Sequence, residues 1–146
     1  MSTGEIRDND YCFACGELNP LGLHLKSAQE GEKLKATCRT SPHHQGFAGV
    51  VHGGIIATIL DDAMNNLVTR LTGMTVVTAE LRLRLRRPVP VDEAVVAEAE
   101  LIERRAGVFR ARAMLYLRAS GELVAASESE LMAAPREAMS SPSEAD

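Results

Sequence analysis

The spacing of apolar and polar residues changes period twice along the chain. After a turn-forming stretch from Gly16 to Gly22, Leu23 and Leu25 and then Leu34, Ala36 and Cys38 alternate with polar residues. That spacing predicts two short strands joined as a hairpin near Glu30-Gly31. An irregular stretch with Pro42, Gly46 and Gly49 follows, and from Gly53 to Leu71 the period becomes helical. Ile55, Ile59, Ala63, Leu67 and Leu71 lie beside Ile56, Leu60, Met64 and Val68, a broad apolar stripe, and Gly73 supplies the stop. The period then returns to two. Ala79, Leu81, Leu83 and Leu85 alternate with Glu80, Arg82, Arg84 and Arg86, and Pro88 and Pro90 punctuate the chain. Val95 to Leu101, Phe109 to Leu117 and Leu123 to Leu131 read as three more strands, with tight connections at Ala106-Gly107 and Ser120-Gly121.

A lone helix with so wide an apolar stripe needs a sheet to bury it. The expectation is an α+β domain: two strands, one long central helix at about 53–72, then a four-stranded antiparallel meander, with the curved sheet of five to six strands wrapped around the helix. At 146 residues one domain is the default. The folded body is expected over 11–134, with disordered ends at 1–10 and 135–146.

Charge and composition narrow the partners. A net charge of -4, three Phe, two Tyr and no Trp provide neither a basic field nor stacking platforms, so no nucleic-acid partner is expected. The N-terminus lacks a basic segment followed by an apolar run, and no stretch approaches the roughly 20 apolar residues that span a bilayer. No membrane association and a cytoplasmic location are expected. Three cysteines, an odd number, fit a reducing compartment.

Candidate chemistry concentrates at Val51-His52-Gly53-Gly54, where two glycines open a helix that residues with side chains would serve better. The first N–H groups of a helix lack intrahelical acceptors and sit at the positive end of its dipole. Without Cβ atoms, Gly53 and Gly54 would let a carbonyl oxygen approach those donors, which is the chemistry of an oxyanion hole. A permissive turn capped by His52 is the alternative. Two carboxylates, Asp61 and Asp62, then interrupt the apolar run. At about 100° per residue Asp61 shares a helix side with Gly54, and Asp62 points about 100° further round, near Thr58, Asn65 and Asn66. Spacing alone leaves both carboxylates open as functional groups or as a solvated face. Asp61 lies about 10.5 Å along the helix from Gly54, too far to serve the same chain's amide, so a second subunit would have to bring the two together.

His52 to Asp61, with Asp nine residues after His, together with Gln45-Gly46, Val77-Thr78-Ala79-Glu80-Leu81 and Arg86-Arg87-Pro88-Val89-Pro90, resembles the HGG-motif hot-dog acyl-CoA thioesterases. These include the phenylacetate-pathway type within the 4-hydroxybenzoyl-CoA thioesterase superfamily, and the likeness runs from Cys12 to about Ala134. The resemblance implies a hot-dog fold and hydrolysis of an acyl thioester to a carboxylic acid and free coenzyme A. It implies no cofactor beyond the coenzyme A of the substrate. It also implies a homodimer, often a dimer of dimers, with the backbone N–H of Gly53 or Gly54 polarising the carbonyl and Asp61 of the other subunit acting as nucleophile or general base. An apolar wall that excludes water would raise the pKa of Asp61 and favour the general-base role.

Thr78 matches a family hydroxyl that orients the carboxylate or the attacking water, although its parity along the strand is shared with Arg82 and Arg84. Gln45 stands in for an upstream amide that assists the carbonyl. His52 is expected to anchor the loop through a ring nitrogen rather than to act as base. Arg86 and Arg87 are candidate ligands for the coenzyme A phosphates, with Arg104-Arg105 as a second cluster. Asn65 and Met64 are candidate substrate contacts, and Met64, Val68 and Met74 are expected to set pocket depth. The alternative function is a non-catalytic acyl-CoA-binding protein of the same fold.

Cys12-x-x-Cys15-Gly16 raises the question of a metal. Structural zinc takes four ligands, and His24, Cys38, His43 and His44 are the other Cys and His residues within the folded body apart from His52. No second cysteine pair exists, so no metal is expected. The segment is read instead as a packing turn over the helix or the acyl tunnel.

Overall fold

The computed structural model describes residues 10–134, so the expectations for 1–9 and 135–146 fall outside the described residues. The strands are β1 (Lys26–Glu30), β2 (Lys33–Arg39), β3 (Val76–Leu85), β4 (Ala94–Arg105), β5 (Val108–Leu117) and β6 (Leu123–Ala133). One helix, α1 (Gly53–Thr72), separates β2 from β3, and a short 3-10 turn occupies Pro42–His44. The six strands form one antiparallel sheet in the order β1-β2-β4-β5-β6-β3 around α1, which is the hot-dog fold.

The helix follows from its stripe. Ile56, Ile59, Leu60, Ala63, Met64, Leu67 and Val68 are buried, and Gly73 ends the helix in the left-handed conformation at φ 74° while its N–H donates to the Thr69 carbonyl. Beneath it the inward positions of β4, β5 and β6 are mostly small: Ala97, Ala99, Ala111, Ala113 and Ala125 are all buried. Small residues on the sheet let a helix bearing Leu, Ile and Met lie close against it, alternating large with small across the interface. Ala106 and Gly107 both take positive φ, 44° and 83°, the backbone of a two-residue hairpin between β4 and β5.

Two details differ from the pattern reading. Leu23 and Leu25 are buried but precede β1; their N–H groups donate to the carbonyls of Phe13 and Ala14, tying the N-terminal segment to the body. The four-stranded meander is also broken. β4, β5 and β6 run in sequence, but β3 pairs with β6 at the far edge, and β4 joins β2. The chain between β3 and β4 crosses the start of the helix, where Val51 donates to the Val89 carbonyl and Val50 bridges Pro90. Pro88 and Pro90 lack N–H donors and cannot extend a hairpin from β3 into β4.

β3 carries one further irregularity. Thr78 pairs with Leu131 and Glu80 with Glu130, so Ala79 is an extra residue in the ladder. The bulge shifts the alternation: Val76 is buried and Thr78 half-buried before it, while Leu81 and Leu83 pack inward after it and Arg82 and Arg84 stay exposed. The parity that Thr78 shares with the arginines in sequence is therefore not shared in space.

No helix among the described residues is long and apolar enough to cross a membrane.

Candidate active site

The helix start is built by its histidines. Ser41 and His44 form a reciprocal cap on the 3-10 turn: the Ser41 N–H donates to His44 Nδ1 at 3.0 Å. Burial, with His43 adding to it, lowers the pKa of His44 and favours the neutral ring that this acceptor role needs. The His44 carbonyl in turn accepts from the His52 N–H at 2.8 Å. His52 is the N-cap of α1, and its Nδ1 accepts from the Gly54 N–H at 2.8 Å. That bond requires a ring with Nδ1 unprotonated. A Cβ on Gly54 would lie 3.1 Å from Nδ1, so glycine is what lets the imidazole close over its own turn.

The ring-to-backbone bond falls on Gly54, and the anchoring role expected of His52 takes this form. Among the described residues the Gly53 N–H meets no acceptor, which leaves it the open donor at the helix start. A Cβ on Gly53 would come within 3.2 Å of Leu85 Cδ1, so the end of β3 lies directly over this amide. Leu85 and Phe47 are 50% and 88% exposed, leaving an apolar rim at the same end of the helix.

Gln45 is occupied within its own loop, its Oε1 accepting from the Gly49 N–H at 3.0 Å.

Two turns further along, Asp61 sits in a network that the β3 bulge makes possible. The Thr78 hydroxyl donates to Asp61 Oδ1 at 2.7 Å, and Asn65 Nδ2 donates to Thr78 Oγ1 at 2.9 Å and to the Asp61 carbonyl at 2.9 Å, with a longer contact of 3.3 Å to Oδ1. Accepting from Asn65 commits the Thr78 proton to the carboxylate. Both donors bear on Oδ1, so carboxylate orientation is set by two elements at once.

Asp62 faces a different neighbourhood. Its Oδ2 accepts from Asn66 Nδ2 at 3.0 Å, and its Oδ1 lies 4.0 Å from Cys12 Sγ. Its pKa is pushed up to about 6, first by burial and second by Asp61. Cys12, Cys15 and Asp62 bring one ligand atom each to within 4.8 Å of one another.

Several expected site residues take other places. Met64 is fully buried, with the Ser127 hydroxyl 3.9 Å from its sulfur, and Val68 is fully buried as well; both are core rather than pocket lining. Asn65 belongs to the carboxylate network. Arg86 and Arg87 follow β3 at the helix-start end, Arg87 paired with Glu122 at 2.8 Å. Arg104 and Arg105 sit at the opposite end of the sheet, Arg104 over the Phe109 ring at 5.9 Å and Arg105 paired with Glu103 at 2.7 Å. Cys38 is in the core, where burial pushes its thiol up to about 11. The metal expectation overlooked Asp62, because the ligand inventory held only Cys and His.

A family model described as the thioesterase superfamily matches residues 48–123, which include the HGG turn, both carboxylates and Thr78. The chain belongs to the thioesterase superfamily. It is 32% identical over 91 residues to acyl-coenzyme A thioesterase THEM4 of Bos taurus, an alignment that covers 61% of this chain and 37% of that protein, so the chain spans well under half the length of this relative. Among solved structures, zebrafish thioesterase superfamily member 2 superposes with a TM-score of 0.76 at 14% identity, covering 92% of this chain and 99% of that one. The E. coli PaaI protein from the phenylacetic acid degradation operon superposes with a TM-score of 0.72 at 13% identity, covering 77% and 81%. At such identities the superpositions speak for the fold of this thioesterase-superfamily chain and not for its substrate.

Proposed function

We propose that this chain hydrolyses acyl-coenzyme A thioesters, with Asp61 as the reacting carboxylate and the Gly53 N–H as the oxyanion donor. The observation that carries the reading is the Asp61–Thr78–Asn65 network, which holds a half-buried carboxylate in one orientation within a family of thioesterases. The kinship to an acyl-coenzyme A thioesterase supports the substrate class.

With Oδ1 taken by Thr78, Oδ2 faces the reaction. As a general base it takes a proton from water while the oxygen adds to the thioester carbonyl carbon; the Gly53 N–H holds the developing oxyanion, and the proton passes to the departing coenzyme A thiolate. As a nucleophile it forms a mixed anhydride and expels the thiolate, and water then cleaves the anhydride. Single turnover in 18O-water separates these routes, since the anhydride route can leave label in Asp61.

Asp61 and Gly53 of one chain lie two turns apart, so the site is completed across a homodimer. Among the described residues β3 is an edge strand with one side open, bearing the exposed apolar Val77 and Leu85, and it is the surface on which a second copy would pair. Arg86, without an ion-pair partner among the described residues, is the candidate for the coenzyme A phosphates.

Thiol release from a panel of acyl-coenzyme A substrates tests the activity; tight binding without turnover would overturn it in favour of a binding protein. Mixing inactive Asp61→Asn and Gly53→Val chains tests the shared site, because a mixed dimer regains one intact site. Absence of recovery in a verified mixed dimer would place both groups in one chain.

A further inference from the structure

The Asp62 side of the helix carries a second constellation, separate from the hydrolytic site. Cys12-x-x-Cys15-Gly16 is a tight turn in which the Cys15 N–H points at Cys12 Sγ, 3.5 Å away, and the Gly16 N–H closes onto the Cys12 carbonyl at 2.9 Å. A Cβ on Gly16 would meet Asp10 O and Cys12 N at 2.4 Å, so the turn can be wound this tightly only around a glycine. Winding it brings the two sulfurs to one side, over α1. There Asp62 supplies a carboxylate oxygen 50 residues away in sequence, and the three ligand atoms lie within 4.8 Å of one another.

We infer that Cys12, Cys15 and Asp62 form a binding site for a zinc-class divalent cation, coordinated by two thiolates, one carboxylate oxygen and a water. Tetrahedral zinc, with bonds of about 2.3 Å to sulfur and about 2.0 Å to oxygen, separates its ligands by about 3.5 to 3.8 Å. The cluster needs to contract by about 1.3 Å at most to reach that spacing. The N–H to sulfur bond stabilises a thiolate, and two thiolates with a carboxylate select a borderline-soft metal over magnesium or calcium.

The surrounding groups match such a site. Asn66 holds Asp62 Oδ2, which aims Oδ1 at the sulfurs, the outer-shell hydrogen bond usual for a ligating carboxylate. Asp62 has no ion-pair partner among the described residues, so no lysine or arginine side chain competes for its carboxylate there. A cavity of about 210 Å³, lined by Cys15, His24, Asn66 and Arg70 among others, opens beside the cluster and admits the water ligand and the entering metal. Binding displaces the two thiol protons into solvent, leaving Zn–S bonds with no change of oxidation state.

The test uses the full chain purified under reducing conditions without a polyhistidine tag. Elemental analysis is expected to find one zinc per chain. After chelator stripping, Co²⁺ titration is expected to give a saturable thiolate-to-cobalt charge-transfer band with one equivalent, together with the visible bands of tetrahedral cobalt. Asp62→Asn should weaken cobalt binding at least tenfold, and Cys12→Ser with Cys15→Ser should abolish the charge-transfer band. Should the cysteine variants fail to fold, the wild-type spectrum and Asp62→Asn decide alone. A stripped chain with no saturable sulfur band, full zinc in the double cysteine variant, or a mass showing a Cys12–Cys15 disulfide under reducing conditions would each overturn the assignment.

Discussion

Asp61 and Asp62 are consecutive residues of one helix, each with an asparagine four residues on that donates to it, and they end in opposite chemical settings. The turn of about 100° between them sends Asp61 toward β3 and Asp62 toward the N-terminal cysteine segment. Asp61, half-buried, receives a hydroxyl from a strand. Asp62 receives sulfur neighbours and burial, and its pKa rises to about 6. Residue type and helix position are nearly the same for the two, so their chemistry is decided by what packs against each face.

The sharpest way to break this comparison is to exchange the pair's fates by mutation. Asp61→Asn is expected to lower kcat/KM for acyl-coenzyme A hydrolysis by about 10² to 10⁴-fold, whereas Asp62→Asn should leave it within about threefold. Equal losses in thiol-release assays would mean that the two carboxylates act as one unit.

The next effect is on stability. The folded-state pKa of Asp62 is raised from 3.8 to about 6, so the folded chain binds more protons than the unfolded one in that window. The neutral carboxyl is fully tolerated below about pH 4, and stability declines by about 2 to 3 kcal/mol as pH rises through 6. Metal-free Asp62→Asn should lose most of this slope in denaturant titrations at pH 4, 5, 6 and 7. An unchanged slope would assign it to other groups.

Smaller still is the effect of positioning. Thr78→Val should lower kcat about tenfold to a hundredfold with little change in KM, and Thr78→Ser should recover most of the loss. Arg86→Ala should act on KM for coenzyme A esters by about fivefold, with kcat unchanged, as for one charge-assisted phosphate contact.

Much of the architecture was legible because burial in this fold is periodic. The α1 stripe, the Gly73 stop and the inward alanines of β4 and β5 repeat at 3.6 or 2.0 residues, and such periods survive translation into space. Strand order was not legible: pairing β3 with β6 depends on where Pro88 and Pro90 steer the chain, a long-range matter that no local period encodes. At the site, Gly53, Gly54, Asp61 and Asp62 stood out because each breaks a local rule of helix chemistry, and only the family resemblance favoured Asp61 over Asp62. The role of Asn65 and the company kept by Asp62 did not, since a polar residue on a helix gives no sign in sequence of which strand or segment will meet it. Met64 shows the converse: a methionine three residues after Asp61 on the same helix is buried in the core.

The extra residue at Ala79 bears on how this strand can change over time. Because it divides β3 into two halves of opposite phase, the aim of Thr78 and the packing of Leu81 and Leu83 are set by residue count and not by residue type. Point substitutions can erase the hydroxyl but cannot turn it around. Deleting Ala79 alone would remove the bulge and leave Thr78, Leu81 and Leu83 on one face by plain alternation, whereas a single length change elsewhere in the strand would put the two halves out of step. Comparisons with relatives therefore need to allow a one-residue gap here before asking whether the threonine is shared.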